Sequence, residues 1–205
     1  MPPLDKKTQK ENSEVSAQLN FIKAVFDQKL PVYLIGGYAD DALLHQKVAR
    51  THHDVDLIAR RADAQLLKTE VEKLGYKVKA ESRARREKPY KLTVKGKNLI
   101  ADIGLLDSDD TGELFTTSTN PTTGEQVEVR FDKEIFDQQP SQLGEIIVNT
   151  VSPLELIRSK DAYFQVGLQP SRQNDVIAKD TLIKKFYPNE DPTADKFKLR
   201  IRKIG

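Results

Sequence analysis

The sequence contains no cysteine. Without cysteine the chain can form no disulfide, hold no metal through thiolates and use no cysteine nucleophile. A metal site would therefore depend on oxygen ligands or on the three histidines. The absence of cysteine does not by itself indicate a cellular compartment.

Long apolar runs and an excess of one charge are also missing. No segment approaches the roughly 18 consecutive apolar residues that a membrane-spanning helix needs, and the polar N-terminus lacks the apolar centre of a signal peptide. We therefore expect no membrane association, with the cytoplasm as the location. The 33 basic and 31 acidic residues leave a net charge of +2, so bulk charge does not favour nucleic acid as a partner.

The remaining composition is that of a globular protein. With 205 residues, of which 38% are hydrophobic, the chain can bury a continuous core. Alternating strand-like and helix-like segments predict an α/β or α+β fold, a mixed sheet flanked by helices. We divide the chain into a flexible arm (1–13), a core (14–151) and a helical C-terminal segment (152–205) that ends in a solvated basic tail.

Hydrophobic periodicity and turn signals give the expected elements. Helices are predicted over residues 15–28, from Tyr38 onward, and over 62–74, 154–166 and 171–186. Strands are predicted over residues 31–35, 54–58, 76–80, 90–94, 99–103, 126–131 and 145–151. A hairpin or loop is predicted over residues 107–120. Gly75 is predicted to be a helix C-cap, and Ser152-Pro153 is predicted to start a helix.

Two carboxylates lie two positions apart on one predicted strand. Asp54 and Asp56 would project from the same face. Neighbouring anions raise each other's pKa unless a cation lies between them, and oxygen ligands suit Mg²⁺ better than Zn²⁺. A lone Asp-x-Asp pair is otherwise an ordinary solvated strand.

A third carboxylate, Asp102, interrupts the apolar run of residues 99–106. If its strand lies beside that of Asp54, three carboxylates converge on one metal cluster, an arrangement suited to phosphoryl or nucleotidyl transfer. The alternative is that Asp102 pairs with an arginine at a sheet edge. Both interpretations stay open at this point.

Gly36 and Gly37 stand between a predicted strand and a predicted helix. Two glycines there let the backbone approach a polyphosphate, which the free N–H groups and the helix dipole bind. A simple tight turn is the alternative.

Together these residues carry a family resemblance. The stretch YLIGGYADDALLHQKVARTHHDVDLI (33–58) resembles the Gly-Gly, Arg-x-His-x-Asp-x-Asp signature of the nucleotidyltransferase superfamily, and within it the lincosamide and aminoglycoside nucleotidyltransferases. A weaker likeness covers residues 152–182, with matching positions at Glu155, Lys160, Arg172 and Asp175.

The resemblance implies roles for individual residues. Gly36 and Gly37 would bind the triphosphate. Asp54, Asp56 and Asp102 would bind Mg²⁺, as two ions, and Asp102 could instead act as general base. Further implied residues are Arg50 and His52, which would steady phosphates or the metal-bearing loop, Lys160, a candidate triphosphate contact, and Asp41, a family acid that could equally be structural.

The resemblance also implies an activity. The chain would transfer a nucleoside monophosphate, from ATP or another NTP, to a hydroxyl of a small molecule, with antibiotic resistance as the associated function. Three positions near the acceptor side depart from the antibiotic-modifying members, namely Ile35 for an acid, Tyr38 for tryptophan and Gly104 for histidine. Two alternatives to this activity stay open, namely transfer to RNA or protein and a catalytically silent nucleotide-binding module. The chain could be a monomer or a homodimer. A basic run at 83–88 could meet RNA but is more typical of a solvated loop.

Overall fold

The structure is a computed structural model that describes residues 6–82, 88–119, 125–160 and 173–203. Several predictions lie outside these residues, namely those for 1–5, 83–87, 161–166, Arg172 and the last two residues of the basic tail. None of the helices in the described part of the chain is both long and apolar enough to cross a membrane.

The described chain contains three helices before residue 74 and two after residue 152. They are α1 (Lys6–Asp27), α2 (Gly36–Asp40), α3 (Ala64–Lys73), α4 (Pro153–Lys160) and α5 (Gln173–Phe186), with shorter helical turns at Asp41–His45, Arg61–Asp63, Lys133–Phe136 and Asp195–Phe197. The prediction that residues up to 13 form a flexible arm was wrong from Lys6 onward, because α1 begins there. Those residues are good helix formers but polar on every side, so they show no amphipathic pattern.

In the described chain, two strands alternate with the first three helices, seven more follow α3 in succession, and one strand lies near the C-terminus. They are β1 (Tyr33–Leu34), β2 (Val55–Arg60), β3 (Lys77–Glu81), β4 (Lys91–Gly96), β5 (Leu99–Ser108), β6 (Leu114–Thr119), β7 (Gln126–Phe131), β8 (Ser141–Leu143), β9 (Ile146–Val148) and β10 (Arg200–Lys203). The predicted strand at 126–131 is confirmed, and the predicted hairpin region 107–120 contains the β5–β6 turn.

Eight of the described strands form one mixed sheet built around β5. The order β1-β2-β5-β6-β7-β10 is extended by β4, which pairs with both β3 and β5. The pair β2–β5 is parallel, whereas the other named pairs of this sheet are antiparallel. The mixed sheet with flanking helices confirms the predicted fold class.

One hydrophobic core joins the helices to the sheet. Alternate β2 residues Val55, Leu57 and Ala59 are at most 1% exposed and pack with Phe21 and Ile22 of α1. Because strand side chains alternate between faces, the residues between them on β2 point to the opposite face. That opposite face carries Asp56.

The C-terminal segment is only partly helical, which corrects the prediction. Its basic tail forms β10, which pairs antiparallel with β7 from Arg200↔Arg130 to Lys203↔Val127. Phe197 and Leu199 are buried just before this strand. The tail KFKLRIRK alternates apolar and basic residues, and this period of two is typical of a strand with one face on a core.

The predicted start of α4 is confirmed. The backbone N–H of Glu155 donates to the side-chain oxygen of Ser152 (3.2 Å), and Pro153 takes the first helical position. Residues 149–151, just before the helix, run beside β1, where Leu34 N–H donates to Asn149 O and Val151 N–H donates to Leu34 O. This contact brings α4 next to the end of β1, where Gly36 and Gly37 follow.

Candidate active site

Asp56 and Asp102 lie side by side on the parallel strands β2 and β5. They are direct register partners, flanked by the pairs Val55↔Ala101 and Leu57↔Ile103. The flanking residues are buried in the core, so the two carboxylates share the opposite face of the sheet. The predicted neighbourhood of these two strands is confirmed.

Asp54 completes a concentration of negative charge at this point. It is exposed and lies one residue before β2. Burial, followed by the charges of Asp54 and Asp102, raises the pKa of Asp56 to about 7, against an opposing effect of Lys160 and Lys91. Among the described residues, no hydrogen-bond donor serves the Asp56 carboxylate. An excess of anions of this kind is what a divalent cation neutralises.

Asp102 is held by two residues of β4. Lys91 donates from Nζ to Oδ2 (2.7 Å), and Thr93, its direct register partner, donates from Oγ1 to Oδ1 (2.8 Å). The alternative interpretation of Asp102 was therefore partly right, since the carboxylate has a cationic partner. The partner is a lysine rather than an arginine, and β5 is an inner strand.

The three carboxylates are near one another without forming a finished metal cage. In the described part of the chain, no three Asp, Glu or His side chains stand close enough together to hold a metal ion. The fit to Mg²⁺ comes instead from the chemistry of the donors, which are hard oxygens with unneutralised charge around Asp56. Lys91 occupies Oδ2 of the third carboxylate in this arrangement.

Gly36 lies against the carboxylate of Asp56. The antiparallel pairing of β1 with β2 places the end of β1 beside the start of β2. Gly36 has φ +71°, and a Cβ atom on it would stand 2.8 Å from Oδ2 of Asp56. Only glycine satisfies both constraints, so the main chain approaches the carboxylates as closely as it can.

Gly37 lies against His52 and Arg50. A Cβ atom on Gly37 would stand 2.3 Å from Nδ1 of His52 and 2.9 Å from Nη2 of Arg50. Arg50 is exposed, so its guanidinium lies at the glycine turn and faces solvent. The predicted phosphate-binding positions Gly36, Gly37 and Arg50 are thus brought together at one end of α2.

His52 is a buried structural residue of the loop that leads to Asp54. Its Nε2–H donates to Oδ2 of Asp41 (2.8 Å), since a carboxylate can only accept, and the same oxygen accepts from Ala49 N–H (3.0 Å). His52 and Asp41 are 8% and 2% exposed. Through these contacts His52 and Asp41 hold the loop between Ala49 and Asp54.

Gln18 and Tyr38 extend this network; Gln18 was not identified from the sequence, and Tyr38 was noted there only as a departure from the family. Gln18 donates from Nε2 to the backbone oxygen of His52 (3.1 Å), and the Tyr38 hydroxyl donates to Oε1 of Gln18 (2.6 Å). Burial and then the charge of Asp41 raise the pKa of Tyr38, which keeps its hydroxyl protonated as a donor. A polar residue at position 18, within the apolar stripe of α1, was the available signal.

Lys160 and Asp40 form a buried ion pair behind the glycine turn. Lys160 donates from Nζ to Oδ2 of Asp40 (2.6 Å), and their side chains are 4% and 7% exposed. Oδ1 of Asp40 has no hydrogen-bond partner among the described residues. Burial raises the pKa of Asp40, while Lys160 and Arg50 oppose the shift and Asp175 of α5 adds to it. Lys160 is thus within electrostatic reach of the site, but its ammonium is engaged by Asp40.

Of the other matching positions in the C-terminal segment, Glu155 is structural. It is fully buried, accepts from Asp132 N–H (3.0 Å) and pairs with Arg158 of its own helix. It stabilises the junction between β7 and α4 and does not face the carboxylates.

The three positions that depart from the antibiotic-modifying relatives differ in location. Gly104 is on the face of Asp102, two residues further along β5. Tyr38 is 1% exposed, and its hydroxyl donates to Gln18. Ile35 packs partly buried against the core.

Comparison with known proteins identifies the family of the chain. The family model of aminoglycoside-2''-adenylyltransferase matches residues 18–171, which include every carboxylate and glycine of the site. A search of curated proteins finds no match.

Three solved structures share the fold. The antibiotic-resistance factor ANT(2'')-Ia in solution has 17% identity and a TM-score of 0.59, covering 87% of this chain and 86% of its own. The crystal structure of ANT(2'')-Ia with adenylyl-2''-tobramycin has 17% identity and a TM-score of 0.57, covering 86% and 91%. The lincomycin-bound lincosamide adenylyltransferase LnuA has 20% identity and a TM-score of 0.52, covering 83% and 94%.

The family match extends over most of the chain and contains the predicted site. The structural likeness, at these low identities, supports the fold. The chain therefore belongs to the aminoglycoside-2''-adenylyltransferase family and is a nucleotidyltransferase.

Proposed function

We propose that this nucleotidyltransferase transfers a nucleoside monophosphate from an NTP, with ATP as first candidate, to a hydroxyl of a small molecule in the cytoplasm. The observation that supports the proposal is the arrangement of Gly36 against Oδ2 of Asp56, with Asp102 in register beside it. A backbone turn open to phosphates next to paired carboxylates fits a bound metal–triphosphate.

The triphosphate would bind at the turn before α2. Gly36 lies next to Asp56, and Gly37 lies next to the exposed Arg50. Guanidinium and backbone N–H groups are good phosphate donors. His52 acts beneath this turn by holding the Arg50–Asp54 loop through Asp41. Lys160 supports the turn from behind through Asp40.

Asp54, Asp56 and Asp102 would hold Mg²⁺, as two ions. Bound Mg²⁺ would neutralise phosphate charge and orient the reacting oxygens. The raised pKa of Asp56 means that its ionised form is disfavoured in the metal-free protein, and a bound cation would favour that form. The residues of the chain contribute positioning and charge neutralisation, the main sources of acceleration in this kind of transfer.

The reaction exchanges one phosphorus–oxygen bond for another. The acceptor oxygen forms a bond to the α-phosphorus, the bond to the bridging oxygen breaks, and pyrophosphate leaves with the electron pair. The hydroxyl proton would pass to Asp102, whose Oδ1 and Oδ2 are oriented by Thr93 and Lys91. This assigns Asp102 the role of general base in addition to, or in place of, metal binding.

The acceptor class follows from the relatives as a proposal. The structural relatives carry an adenylylated tobramycin in one case and lincomycin in the other. A hydroxylated molecule of comparable size is therefore the first class to test, and antibiotic resistance is the associated function.

Pyrophosphate release tests the proposal. Purified protein with Mg²⁺ and each NTP would be offered hydroxylated small molecules, with Asp54→Asn and Asp56→Asn as controls. We expect release that needs an acceptor and is lost in both variants. Full turnover in either variant would show that the metal-binding assignment is wrong, and the absence of metal-dependent NTP binding would refute the function itself.

A further inference from the structure

The sheet face that carries Asp102 is lined by lysines. Lys91 and Thr93 both donate to Asp102. Oε1 of Glu81 lies 3.2 Å from Oγ1 of Thr93 and 3.7 Å from Nζ of Lys79. These side chains therefore share one face. By alternation and register, the same face carries Lys77, Lys95, Ile100 and Gly104. The intervening residues Leu92, Val94, Ala101 and Ile103 are buried on the other side.

The balance of charge on this face is positive outside the catalytic carboxylates. Four lysines of β3 and β4 stand there with one acid, Glu81, among the described residues. Lys77 and Lys95 are exposed register partners, and neither forms an ion pair with a described residue. When metal ions neutralise the carboxylates, an acceptor at Asp102 would meet an excess of ammonium groups.

The lysines are close enough to act on an acceptor. Neighbouring strands lie about 4.8 Å apart, so Lys79, two strands from Asp102, starts from roughly 10 Å away. Lys91 already reaches Asp102, and Gly104, its register partner on β5, leaves the floor of this face open. A group 5–10 Å (about one to two strand spacings) from the reacting hydroxyl would lie among these side chains.

A second group of basic side chains surrounds a cavity near the C-terminal end of β2. This cavity of about 540 Å³ is lined by Arg60, Arg61 and Lys88, with Asp107 as the acid among its lining residues. Arg61 is paired with Asp107 (2.8 Å), whereas Arg60 and Lys88 form no ion pair with a described residue. The described residues around this cavity therefore carry more positive than negative charge.

We propose that the acceptor is a small hydroxylated molecule that carries a negative charge, as a phosphate or carboxylate group, bound by the lysines of β3 and β4. The inference rests on the proposed nucleotidyl transfer and narrows its acceptor. It separates this chain from members of the family that take polycations, because a cationic acceptor needs acidic side chains where this face has Lys77, Lys79 and Lys95.

The test compares acceptors that differ in charge. The intact protein would be incubated with Mg²⁺ and the preferred NTP. Candidate acceptors would then be added one at a time, first glucose, glucose 6-phosphate and glucuronate, and then kanamycin, lincomycin and bulk RNA. In a second arm, small-metabolite extract separated beforehand by ion exchange would be labelled from α-³²P NTP. We expect radioactive label to be transferred to the charged sugars or to the fraction that an anion exchanger retains. Comparison of glucose 6-phosphate with glucuronate then shows whether the enzyme recognises a phosphate or a carboxylate group.

Charge reversal on the exposed lysines gives the matched comparison. Lys79→Glu and Lys95→Glu should each raise KM for the anionic acceptor by about three- to tenfold while kcat and the KM for NTP stay unchanged. Lys184→Glu, an equal charge change on exposed α5, should leave all three values unchanged. Equal KM values in the strand variants would show that the lysines only protect the edge of the sheet.

The remaining outcomes also decide the matter. Transfer to kanamycin, lincomycin, RNA or the cation-retained fraction, but not to the anionic acceptors, overturns the inference while the proposed function stands. Metal-dependent NTP binding with no label in any fraction overturns it as well. Absence of metal-dependent NTP binding refutes the proposed function, which is a separate failure.

Discussion

Gly37 and His52 are in such close contact that any side chain at position 37 would enter the imidazole ring. A Cβ atom there would stand 2.3 Å from Nδ1 and 2.5 Å from Cε1 of His52. The backbone of Gly37 is not in the left-handed region, unlike that of Gly36. The glycine is therefore required by packing against the histidine, and its value for phosphate binding comes in addition.

Gly37→Ala should consequently destabilise the protein even without nucleotide. We expect a loss of about 1–3 kcal/mol from overpacking, measured by denaturant unfolding. In a His52→Ala background the same change should be neutral or stabilising, because alanine is the better helix former at a helical position. Equal effects in both backgrounds would show that the contact does not decide the need for glycine.

Asp56→Asn should remove activity and stabilise the metal-free protein. Turnover should fall by at least about 100-fold, because one ligand of the reacting metal–phosphate unit is lost. With the pKa of folded Asp56 raised from 3.8 to about 7, unfolding releases a proton between these values, so stability falls as pH rises through that interval. Above pH 7 the ionised Asp56 lowers the free energy of unfolding by at most about 4 kcal/mol.

The measurement is urea unfolding in EDTA from pH 4 to 8, compared between wild type and Asp56→Asn. The difference between the two curves should grow in favour of the variant up to about pH 7 and then level off. Added Mg²⁺ should reverse the order. Parallel curves over the whole range would mean that Asp56 ionises at its ordinary pKa.

Thr93→Val should impair the positioning of Asp102. The Thr93 hydroxyl donates to Oδ1 of Asp102 (2.8 Å), and valine keeps its shape without the donor. We expect kcat to fall by about three- to thirtyfold with the KM for NTP unchanged, since a misplaced catalytic group affects the chemical step. Thr93→Ser, which retains the hydroxyl, should keep most of the wild-type kcat. If Thr93→Ser is as slow as Thr93→Val, Thr93 acts through packing and not through its hydroxyl.

Lys160→Met should destabilise the protein through Asp40. Removing the partner of a buried carboxylate costs about 3–5 kcal/mol, and within the described part of the chain Oδ1 of Asp40 has no other partner. The double variant Asp40→Asn with Lys160→Met should recover most of the stability. If NTP affinity recovers with it, Lys160 acts through the fold; if affinity stays low in a stable double variant, Lys160 also contacts phosphate.

Much of the fold and the outline of the site could be predicted from local pattern. Asp54, Asp56 and Asp102 stand out because each interrupts or borders an apolar strand, and Gly36-Gly37 because it separates a strand from a helix. The partners of these residues could not be predicted in the same way. Lys91 and Thr93 look like ordinary strand residues until β4 is paired with β5.

The two largest errors in secondary structure have different causes. The first turns of α1 are polar all round and carry no amphipathic signal, so only helix propensity marked them. In the tail, alternation was present, but its basic residues suggested a solvated end until β7 supplied a partner for β10.

What the sequence by itself determined is the kind of chemistry, because spacing along a strand decides which side chains share a face and which residue types can hold a metal or a phosphate. The tertiary structure alone decided which groups meet across long separations, such as Gln18 with His52 and Lys160 with Asp40. It also decided that the lysines of β3 and β4 stand on the face of Asp102. Those contacts depend on how strands and helices pack, which no local pattern encodes.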